Sequence, residues 1–403
     1  MSIVFLSPTG QAGGAEAALL ELLAGLRETH PTWSLDLIVA SDGPLVMRVR
    51  ALGVAVEVLP FPPSFARLGD WGIGSGIWAR FAFLARAVRV LWPALQYLRR
   101  LRSRLAARRP QVIHTNGFKM HVLGAWARPR DSAVLWHLHD YTGRRPATAR
   151  LLKLSAHRCA AAVANSRSVA TDMRSVCGAE LPVHPVWNAV DLERFSPGGA
   201  TVDLDALAGL PRADGVVRVG LIATFALWKG HRTFLRALAM LPASLRVRGY
   251  VVGGPVYTTA GSQVTLDELR READSLQLGH RVGFTGMVSD TSSVMRALDI
   301  VVHASTDPEP FGLVIAEAMA CGRAVVTSGA GGASELIAPG VNALVHEPGD
   351  AAGLAKAIET AATSADLRQR FGDAARAAAE RSFTRHRLVN ELTPIYEGLA
   401  RVP

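Results

Sequence analysis

Short runs of hydrophobic, β-branched residues alternate along the chain with longer amphipathic stretches rich in Ala, Leu and Arg. This alternation is typical of βα units, in which a parallel sheet is covered by helices. Twelve runs fit β-strands, six in each half of the chain. They lie at residues 3–7, 34–40, 54–59, 111–115, 133–138 and 161–166, and then at 217–223, 245–253, 280–286, 299–305, 323–328 and 342–347.

The two series of strands predict the fold class. A chain of 403 residues exceeds a single ordinary hydrophobic core. We therefore expect an α/β protein with two Rossmann-like, doubly wound parallel-sheet domains that face a central cleft. Residues 185–200 are rich in Pro, Gly and polar side chains and mark the join. The expected domains are 1–190 and 191–386, with the last helical stretch, 387–403, packing back onto the first domain.

The stretch EPFGLVIAEAMACG, residues 309–322, follows the tenth predicted strand. Ligands of open α/β sheets bind beyond the carboxyl ends of the strands, so this loop is a candidate site. Pro310 suits the entry of a helix, which predicts a helix from about Phe311. Glu309 then lies on the loop, and Glu317 lies about two turns inside the helix.

The start of this helix is suited to bind a diphosphate. A helix N-terminus is the positive end of the helix dipole, and its first N–H groups point at a ligand. Phe311, Gly312 and Leu313 offer these amides, and Gly312 lets a bulky anion approach the backbone. The pattern fits a nucleotide sugar, with the ribose on Glu317 and the donor-sugar hydroxyls on Glu309. The alternative interpretation is a surface helix with incidental acids.

A second candidate lies in GLIATFALWKGHRTFLRAL, residues 220–238, where a strand is followed by a loop and an amphipathic helix. Lys229 on that loop is one of only four lysines in the chain. Its compact ammonium group suits a diphosphate as a point charge. A solvated loop lysine is the alternative interpretation.

The first predicted strand ends in a glycine-rich turn, within SPTGQAGGAEAALLELL at residues 7–23. Gly13 and Gly14 would let a phosphate or a reacting sugar lie against backbone amides. The turn lacks the G-x-G-x-x-G order, and Asp42 is the nearest acid after the second strand. As a dinucleotide fingerprint the turn is weak, which argues against an oxidoreductase.

Charge adds a preference for anionic partners. The chain carries 44 Lys and Arg residues against 34 Asp and Glu residues, a formal net charge of +10. Residues 76–109 contain nine arginines, no acids, and apolar residues at near-heptad spacing. Pro93 predicts two helices here rather than one. They are either core-packing helices with solvated arginines or an amphipathic face on an anionic membrane, with Trp78 and Trp92 near the headgroups.

Cysteine usage and hydropathy bear on the compartment. Cys159, Cys177 and Cys321 show no C-x-x-C spacing, which favours a reducing compartment and argues against structural zinc. We find no run of about 18 apolar residues and no signal-peptide pattern. We therefore expect a cytoplasmic protein without a metal site, peripheral on the inner face of the cell membrane if residues 76–109 bind lipid.

Four motifs together resemble one family. EPFGLVIAEAMACGRAVVTSGAGGASELI, LWKGH, GQAGGAE and VWNAVDLERFSP look like the retaining glycosyltransferases of family GT4, the glycosyl transferases group 1 with a GT-B fold. They span nearly the whole chain in the family's order, and the E-x-F-G-x-x-x-x-E match is highly specific. The resemblance implies transfer of a sugar from a nucleotide-diphosphate sugar, with no cofactor and no obligatory metal. The acceptor would be a saccharide or a lipid-linked saccharide, as in cell-surface polysaccharide or glycoconjugate synthesis.

The resemblance also implies roles for individual residues. Lys229 would neutralise the diphosphate, Glu309 would meet the donor sugar, and Glu317 would bind the ribose. The segment 284–288 would lie along the base. The full donor-binding set is Gly13, Gly14, Thr224, Lys229, Gly286, Val288, Glu309, Phe311, Gly312, Leu313 and Glu317.

This sequence departs from the family's pattern on the donor side. Thr224 stands where the family usually has an arginine before the Lys-Gly pair. One phosphate-neutralising charge is therefore missing, or another arginine supplies it.

A second departure concerns the acceptor side. Asn116 stands where many relatives have a histidine, so the polar role there would pass to neighbouring residues. His139 and Asp140 rank first because they follow a predicted strand, and Lys119 ranks next as another rare lysine. For His121 we favour a structural role on a helix face. The candidate catalytic residues are thus Glu309, Lys229, His139, Asp140, Asn116 and Lys119.

Two other classes of function fit parts of the sequence. A glycoside hydrolase would use Glu309 and Glu317 as carboxylates roughly 5–10 Å apart, but it has no need for Lys229. A non-catalytic basic protein that binds a membrane or nucleic acid would explain the charge. We see no aromatic-basic recognition motif, so we expect no nucleic-acid partner.

Overall fold

The structure of the protein, a computed structural model, describes residues 1–11, 13–66, 77–255 and 262–401, with side chains left out at 66 and 77–90. The chain forms two compact units. The first comprises Met1–Ala189 and Arg385–Pro403, and the second comprises Val190–Thr384. The unit boundaries lie within two residues of those predicted from the sequence.

The first unit contains a parallel sheet of seven strands in the order β3-β2-β1-β4-β5-β6-β7. Its strands are β1 Ser2–Ser7, β2 Ser34–Val39, β3 Ala55–Val58, β4 Val112–Asn116, β5 Ala133–Leu138, β6 Ala161–Ala164 and β7 Val183–Pro185. The first six correspond to predicted strands. The short edge strand β7 was not predicted, because it has three residues and ends at a proline beside the expected domain join.

Helices cover both faces of this sheet. They are α1 Gly14–Thr29, α2 Pro44–Ala51, α3 Pro63–Ala66, α4 Ile77–Arg108, α5 Phe118–Ala127, α6 Pro146–Ser155, α7 Arg167–Cys177 and the C-terminal helix Arg385–Ala400. The C-terminal helix packs on the first unit as predicted. Leu388, Leu392 and Tyr396 are buried there with the apolar side chains of α1.

The prediction of two helices around Pro93 was wrong, because α4 is one continuous helix. An interior proline removes one backbone hydrogen bond and costs about 3 kcal/mol. The turns after it bury Tyr97, Leu101 and Leu105 completely in the core that α4 to α7 form with the sheet. Burial of three large side chains contributes more than that cost. Trp78 lies among the residues whose side chains are not described.

The second unit contains a parallel sheet of six strands in the order β10-β9-β8-β11-β12-β13. Its strands are β8 Val217–Ile222, β9 Val247–Val252, β10 Val282–Gly286, β11 Ile300–His303, β12 Ala324–Thr327 and β13 Ala343–Val345. Its helices are α8 Leu204–Leu207, α9 His231–Met240, α10 Leu266–Ser275, α11 Thr291–Ala297, α12 Leu313–Ala320, α13 Ala351–Thr363 and α14 Ala365–Ser382. All six strands correspond to predicted ones, and both sheets are of the Rossmann type.

The strand order places the candidate loops. In each sheet the order reverses between two neighbouring central strands, β1 and β4 in the first unit and β8 and β11 in the second. Loops at such a switch point diverge and leave room for a ligand. The glycine-rich turn follows β1, Asn116 ends β4, Lys229 follows β8 and Glu309 follows β11.

Candidate functional site

The loop between β11 and α12 carries Glu309 in the second unit. The helix begins at Leu313, two residues later than predicted. Gly312 has φ = 92°, in the left-handed region, so it caps the helix and cannot belong to it. The amide of Ile315 donates to the carbonyl of Gly312 and closes the first turn. The first N–H groups of α12 still lack intrahelical acceptors, as in any helix.

Lys229 and Glu309 form a direct ion pair. The Nζ atom of Lys229 lies 2.9 Å from Oε1 and 2.8 Å from Oε2 of Glu309. Lys229 ends a 3-10 turn, and Gly230 follows it in the left-handed conformation, with φ = 74°. A side chain at Gly230 would collide with the carbonyl of Ala304, so glycine there lets the turn pack against the end of β11. Close packing of the turn after β8 against the end of β11 thus brings the two charges together.

Sequence reasoning missed two further partners of Glu309. His303, the last residue of β11, has Nε2 at 3.3 Å from Oε2 of Glu309. The hydroxyl of Ser305 donates to the same oxygen at 2.9 Å. Both residues stand in the predicted strand DIVVHAS. Their position at the end of the strand could have revealed them in the sequence, because polar side chains are unusual after three consecutive apolar strand residues.

The surroundings of Glu309 keep its carboxylate ionised. Burial by itself would raise the pKa of Glu309, but the Lys229 ammonium and the hydrogen bond from His303 outweigh it. The pKa is therefore held well below its ordinary value. At neutral pH Glu309 can accept hydrogen bonds and bind cations, and it cannot donate a proton.

The remaining donor-side candidates lie on α12, at the end of β10 and on the loops after β8, β10 and β11. Phe311 is buried and packs edge-on against Phe383, and Glu317 lies half-buried on α12. The hydroxyl of Thr224 is buried after β8 and has no hydrogen-bond partner within the described ranges. Gly286 ends β10 with φ = 71°, and Val288 is half-buried in the following loop.

The first unit brings two acceptor-side candidates together. Nε2 of His139, just after β5, lies 2.9 Å from Oδ1 of Asn116 at the end of β4. Because an amide oxygen only accepts, His139 carries its proton on Nε2. Burial lowers the pKa of His139 to about 4, so its ring is neutral at pH 7.

Buried polar atoms collect at this edge of the sheet. Nδ2 of Asn116, Nδ1 of His139 and Nε2 of His137 have no hydrogen-bond partner in the part of the chain that the structure describes. His137 is itself held by His114, whose other nitrogen lies 2.8 Å from the hydroxyl of Tyr396. Buried polar groups are normally paired, so these three atoms have hydrogen-bonding capacity that no described residue uses.

Two other candidates of the first unit, and His121, have different surroundings. Asp140 pairs with Arg145 at 2.6 Å and accepts from the amide of Tyr141. Nζ of Lys119 lies 3.4 Å from the carbonyl oxygen of Phe65. His121 is buried with Nδ1 at 2.7 Å from the hydroxyl of Thr115, which agrees with the structural role we favoured.

The glycine-rich turn lies between β1 and α1. Gly13 is the extended residue that precedes the helix, and Gly14 is its first residue. Gly14 is exposed, and a Cβ there would meet no atom within 4 Å. Burial raises the pKa of Glu16 in the first turn of α1.

The described residues lack both a metal-type cluster of side chains and a membrane-spanning helix. No cluster of three or more His, Cys, Asp or Glu side chains has the arrangement of a metal site in residues 1–11, 13–66, 77–255 and 262–401. Within the same ranges, no helix combines the length and apolar character needed to cross a bilayer.

Solved structures define the class of protein. The structure superimposes on the Anabaena protein HepE in complex with UDP over the full length of both chains, with a TM-score of 0.77 and 26% identity. It also superimposes on sucrose-phosphate synthase from Thermosynechococcus elongatus over 99% of each chain, with a TM-score of 0.76 and 20% identity. Both are two-domain GT-B structures, so the chain has the GT-B fold.

Matches to two sequence families then show the family to which the chain belongs. Residues 210–378 match the family Glycosyl transferases group 1, and residues 12–194 match Glycosyltransferase Family 4. The chain belongs to the group 1 glycosyl transferases of the GT4 type, as its motifs predicted.

Two curated relatives illustrate the range of the family. The lipopolysaccharide core biosynthesis mannosyltransferase LpcC of Rhizobium leguminosarum bv. viciae is 32% identical over 231 residues, which are 57% of this chain and 64% of LpcC. The D-inositol 3-phosphate glycosyltransferase of Mycobacterium sp. strain KMS is 40% identical over 174 residues, 42% of this chain and 36% of the relative. The chain thus matches under two thirds of the length of either relative.

Proposed function

We propose that the protein is a retaining glycosyltransferase that moves a sugar from a nucleotide-diphosphate sugar to a saccharide or lipid-linked acceptor. The observation that carries the proposal is the pair of Lys229 and ionised Glu309 beside the start of α12. The relatives support it, because HepE was crystallised with UDP and with UDP-glucose, and LpcC acts in lipopolysaccharide core synthesis. Cell-surface polysaccharide or glycoconjugate synthesis is the corresponding pathway class.

On the donor side, the diphosphate would lie between Lys229 and the first amides of α12. Negative charge grows on the diphosphate as the glycosidic bond breaks, so fixed positive groups there stabilise the transition state more than the ground state. Glu309 would accept hydrogen bonds from the sugar and Glu317 from the ribose. We propose that no metal is required, because these groups supply the positive potential.

On the acceptor side, Asn116 and His139 would bind a hydroxyl group. Nδ1 of His139 can accept a hydrogen bond and Nδ2 of Asn116 can donate one, so together they match the two roles of a sugar hydroxyl. A ring with a pKa of about 4 is a weak base at pH 7. We therefore assign proton removal from the acceptor to the departing phosphate oxygen, on the same face of the sugar.

The hydrolase alternative is weakened by Glu309. A glycosidase needs one carboxylic acid with a raised pKa to protonate the leaving oxygen. The pKa of Glu309 moves in the opposite direction, and an ammonium group contacts both of its oxygens. The nucleotide-binding interpretation explains the same contacts without an acid.

We also propose that the protein binds the inner face of the cell membrane through α4. Leu91, Trp92 and Leu95 are exposed on this helix, and the guanidinium of Arg99 lies 5.9 Å from the centre of the Trp92 ring. Exposed apolar side chains flanked by arginines suit an interface of anionic lipid. Such a location would suit a lipid-linked acceptor.

The test of the function is a screen of UDP-, GDP-, TDP- and ADP-sugars for binding and for slow hydrolysis of the donor. We expect at least one to bind below millimolar concentration and to be hydrolysed. Glu317→Ala should weaken nucleotide binding, and Glu309→Ala should mainly lower turnover. If none of the four classes binds at millimolar concentration, the transferase proposal fails, and the reverse pattern of the two variants would exchange the assigned roles.

A further inference from the structure

A chain of hydrogen bonds from β12 reaches Glu309. Nδ1 of His303 lies 3.1 Å from the hydroxyl of Thr327, the last residue of β12. Nε2 of His303 lies 3.1 Å from the hydroxyl of Ser305 and 3.3 Å from Oε2 of Glu309. His303, Ser305 and Thr327 are all at most 4% exposed.

The direction of this chain follows from the chemistry of its ends. An ionised carboxylate only accepts, so the single proton of the Ser305 hydroxyl is donated to Glu309. Nε2–H of His303 is then shared between the Ser305 oxygen, at 3.1 Å, and Oε2 of Glu309, at 3.3 Å. Nδ1 of His303 in turn accepts from the hydroxyl of Thr327, whose oxygen accepts from the amide of Gly329 at 3.1 Å. With its proton on Nε2, the His303 ring therefore gives every group in the chain a partner.

The backbone of Glu309 is fixed by a different segment. Its amide donates to the carbonyl of Ala330 at 3.1 Å, and its carbonyl accepts from the amide of Gly332 at 2.8 Å. These bonds hold the main chain but leave the torsions of the long side chain undetermined. Lys229 contacts both carboxylate oxygens from a surface loop, whereas His303 and Ser305 contact Oε2 from the end of a buried strand.

We propose that His303 and Ser305, aligned by Thr327, are positioning residues that fix the carboxylate of Glu309 for the transferred sugar. This inference rests on the proposed function, because Glu309 is taken to meet that sugar. Ionic attraction to Lys229 is strong but tolerates many angles, while two directed hydrogen bonds select one rotamer. At metal sites, loss of the groups that orient a ligand side chain lowers activity roughly 10- to 100-fold, and we expect a loss of that order here.

The first part of the test is structural and independent of activity. We expect crystal structures of His303→Leu and Thr327→Val to show the carboxylate of Glu309 turned away from its position in the parent. Ser293→Ala, which removes a buried hydroxyl bonded to the carbonyl of Asp290, is the matched control. A Glu309 carboxylate that keeps its position in both variants overturns the proposal, even if the protein transfers no sugar.

The second part of the test is kinetic and uses a background without the carboxylate. His303→Leu should lower kcat about 10- to 100-fold with little change in nucleotide affinity, and His303→Gln, which keeps a donor near Nε2, should recover most of the loss. In a Glu309→Gln background, His303→Leu should cost less than threefold, because its effect acts through Glu309. An equal loss in both backgrounds, or a fall in nucleotide affinity that matches the fall in kcat, means a structural role and overturns the proposal.

Discussion

At the scale of single residues, the close contact of Lys229 and Glu309 predicts strong energetic coupling. Each side chain is mostly buried, so removing one leaves the charge of the other poorly compensated. We expect Lys229→Met and Glu309→Gln each to lower kcat/KM, and the double variant to lose much less than the two losses combined. The double-mutant cycle on donor hydrolysis should give a coupling of about 1–3 kcal/mol.

Independent roles would give a different result in that cycle. If Lys229 met only the diphosphate and Glu309 only the sugar, the two losses would add within about 0.5 kcal/mol. Lys153→Met is the matched control, because Lys153 is an exposed lysine of the other unit on α6. Its change should leave kcat/KM unaltered.

Individual residues also show how much of the candidate site could be predicted from the sequence. Lys229 and Glu309 were both predicted, since each stands out by rarity or motif. Their ion pair was not predicted, because 80 residues separate them and only the packing of Gly230 against Ala304 brings them together. His303 was overlooked because the predicted strand ran on to Ser305, so this histidine was taken for a core residue and its position at the end of β11 was not used.

At the scale of elements, periodicity predicted the strands well and the starts and interruptions of helices less well. Twelve of the thirteen strands in the described ranges match predicted runs, because buried β-branched residues define them. The predicted start of α12 was two residues too early because Pro310 suits a helix entry. The observed start is set by the left-handed conformation of Gly312. The continuity of α4 through Pro93 depended on tertiary burial, which outweighs a local propensity.

One element-scale prediction concerns the attachment of α8 to the second sheet. Asp205 on α8 is 1% exposed and accepts hydrogen bonds from Arg248 and from the hydroxyl of Tyr250, both on β9. Burial would raise the pKa of Asp205, but these bonds lower it to about 2. Asp205→Asn leaves the Arg248 charge buried and unpaired, so we expect a loss of about 3–5 kcal/mol in the free energy of unfolding at pH 7.

The pH dependence of that loss has a defined sign. The pKa of Asp205 is lowered in the folded state, so its stabilisation is fully present above its ordinary pKa of 3.8 and disappears as pH falls towards 2. Urea unfolding of the parent and of Asp205→Asn should therefore give curves that converge between about pH 4 and pH 2. Arg212→Gln, which removes an exposed pair with Asp214, should change stability by less than about 1 kcal/mol. A difference between parent and Asp205→Asn that stays constant down to pH 2 would contradict the assignment.

At the scale of the whole molecule, the positive charge is strongly segregated. Residues 91–158 hold 14 of the 44 basic residues and only 2 of the 34 acidic ones, a net charge of +12. All the other residues together carry a net charge of −2. A general preference for arginine would spread the charge along the chain, so the segregation favours a specific anionic partner for this part of the first unit.

The segregated charge predicts binding to anionic lipid. We expect the protein to co-sediment with vesicles that contain phosphatidylglycerol, much less with pure phosphatidylcholine vesicles, and less again as salt is raised. Leu91→Ser combined with Trp92→Ser should reduce the bound fraction at least about tenfold, since burial of each large side chain contributes about 1.5–3 kcal/mol. Donor hydrolysis, measured in parallel without vesicles, should be unchanged.

A control variant separates insertion of α4 from non-specific hydrophobic adsorption to the vesicles. Met240 and Leu207 are comparably exposed in the second unit, at 58% and 43%, so serine at both positions removes a similar apolar area outside the basic segment. That variant should bind vesicles like the parent. If the control variant loses as much binding as the α4 variant, the contact is non-specific. If the α4 variant binds as well as the parent, the arginines alone or another surface recognise the lipid. Either result would remove insertion of the apolar side chains of α4 from the proposed membrane contact while leaving the sugar-transfer proposal to be decided by the donor screen.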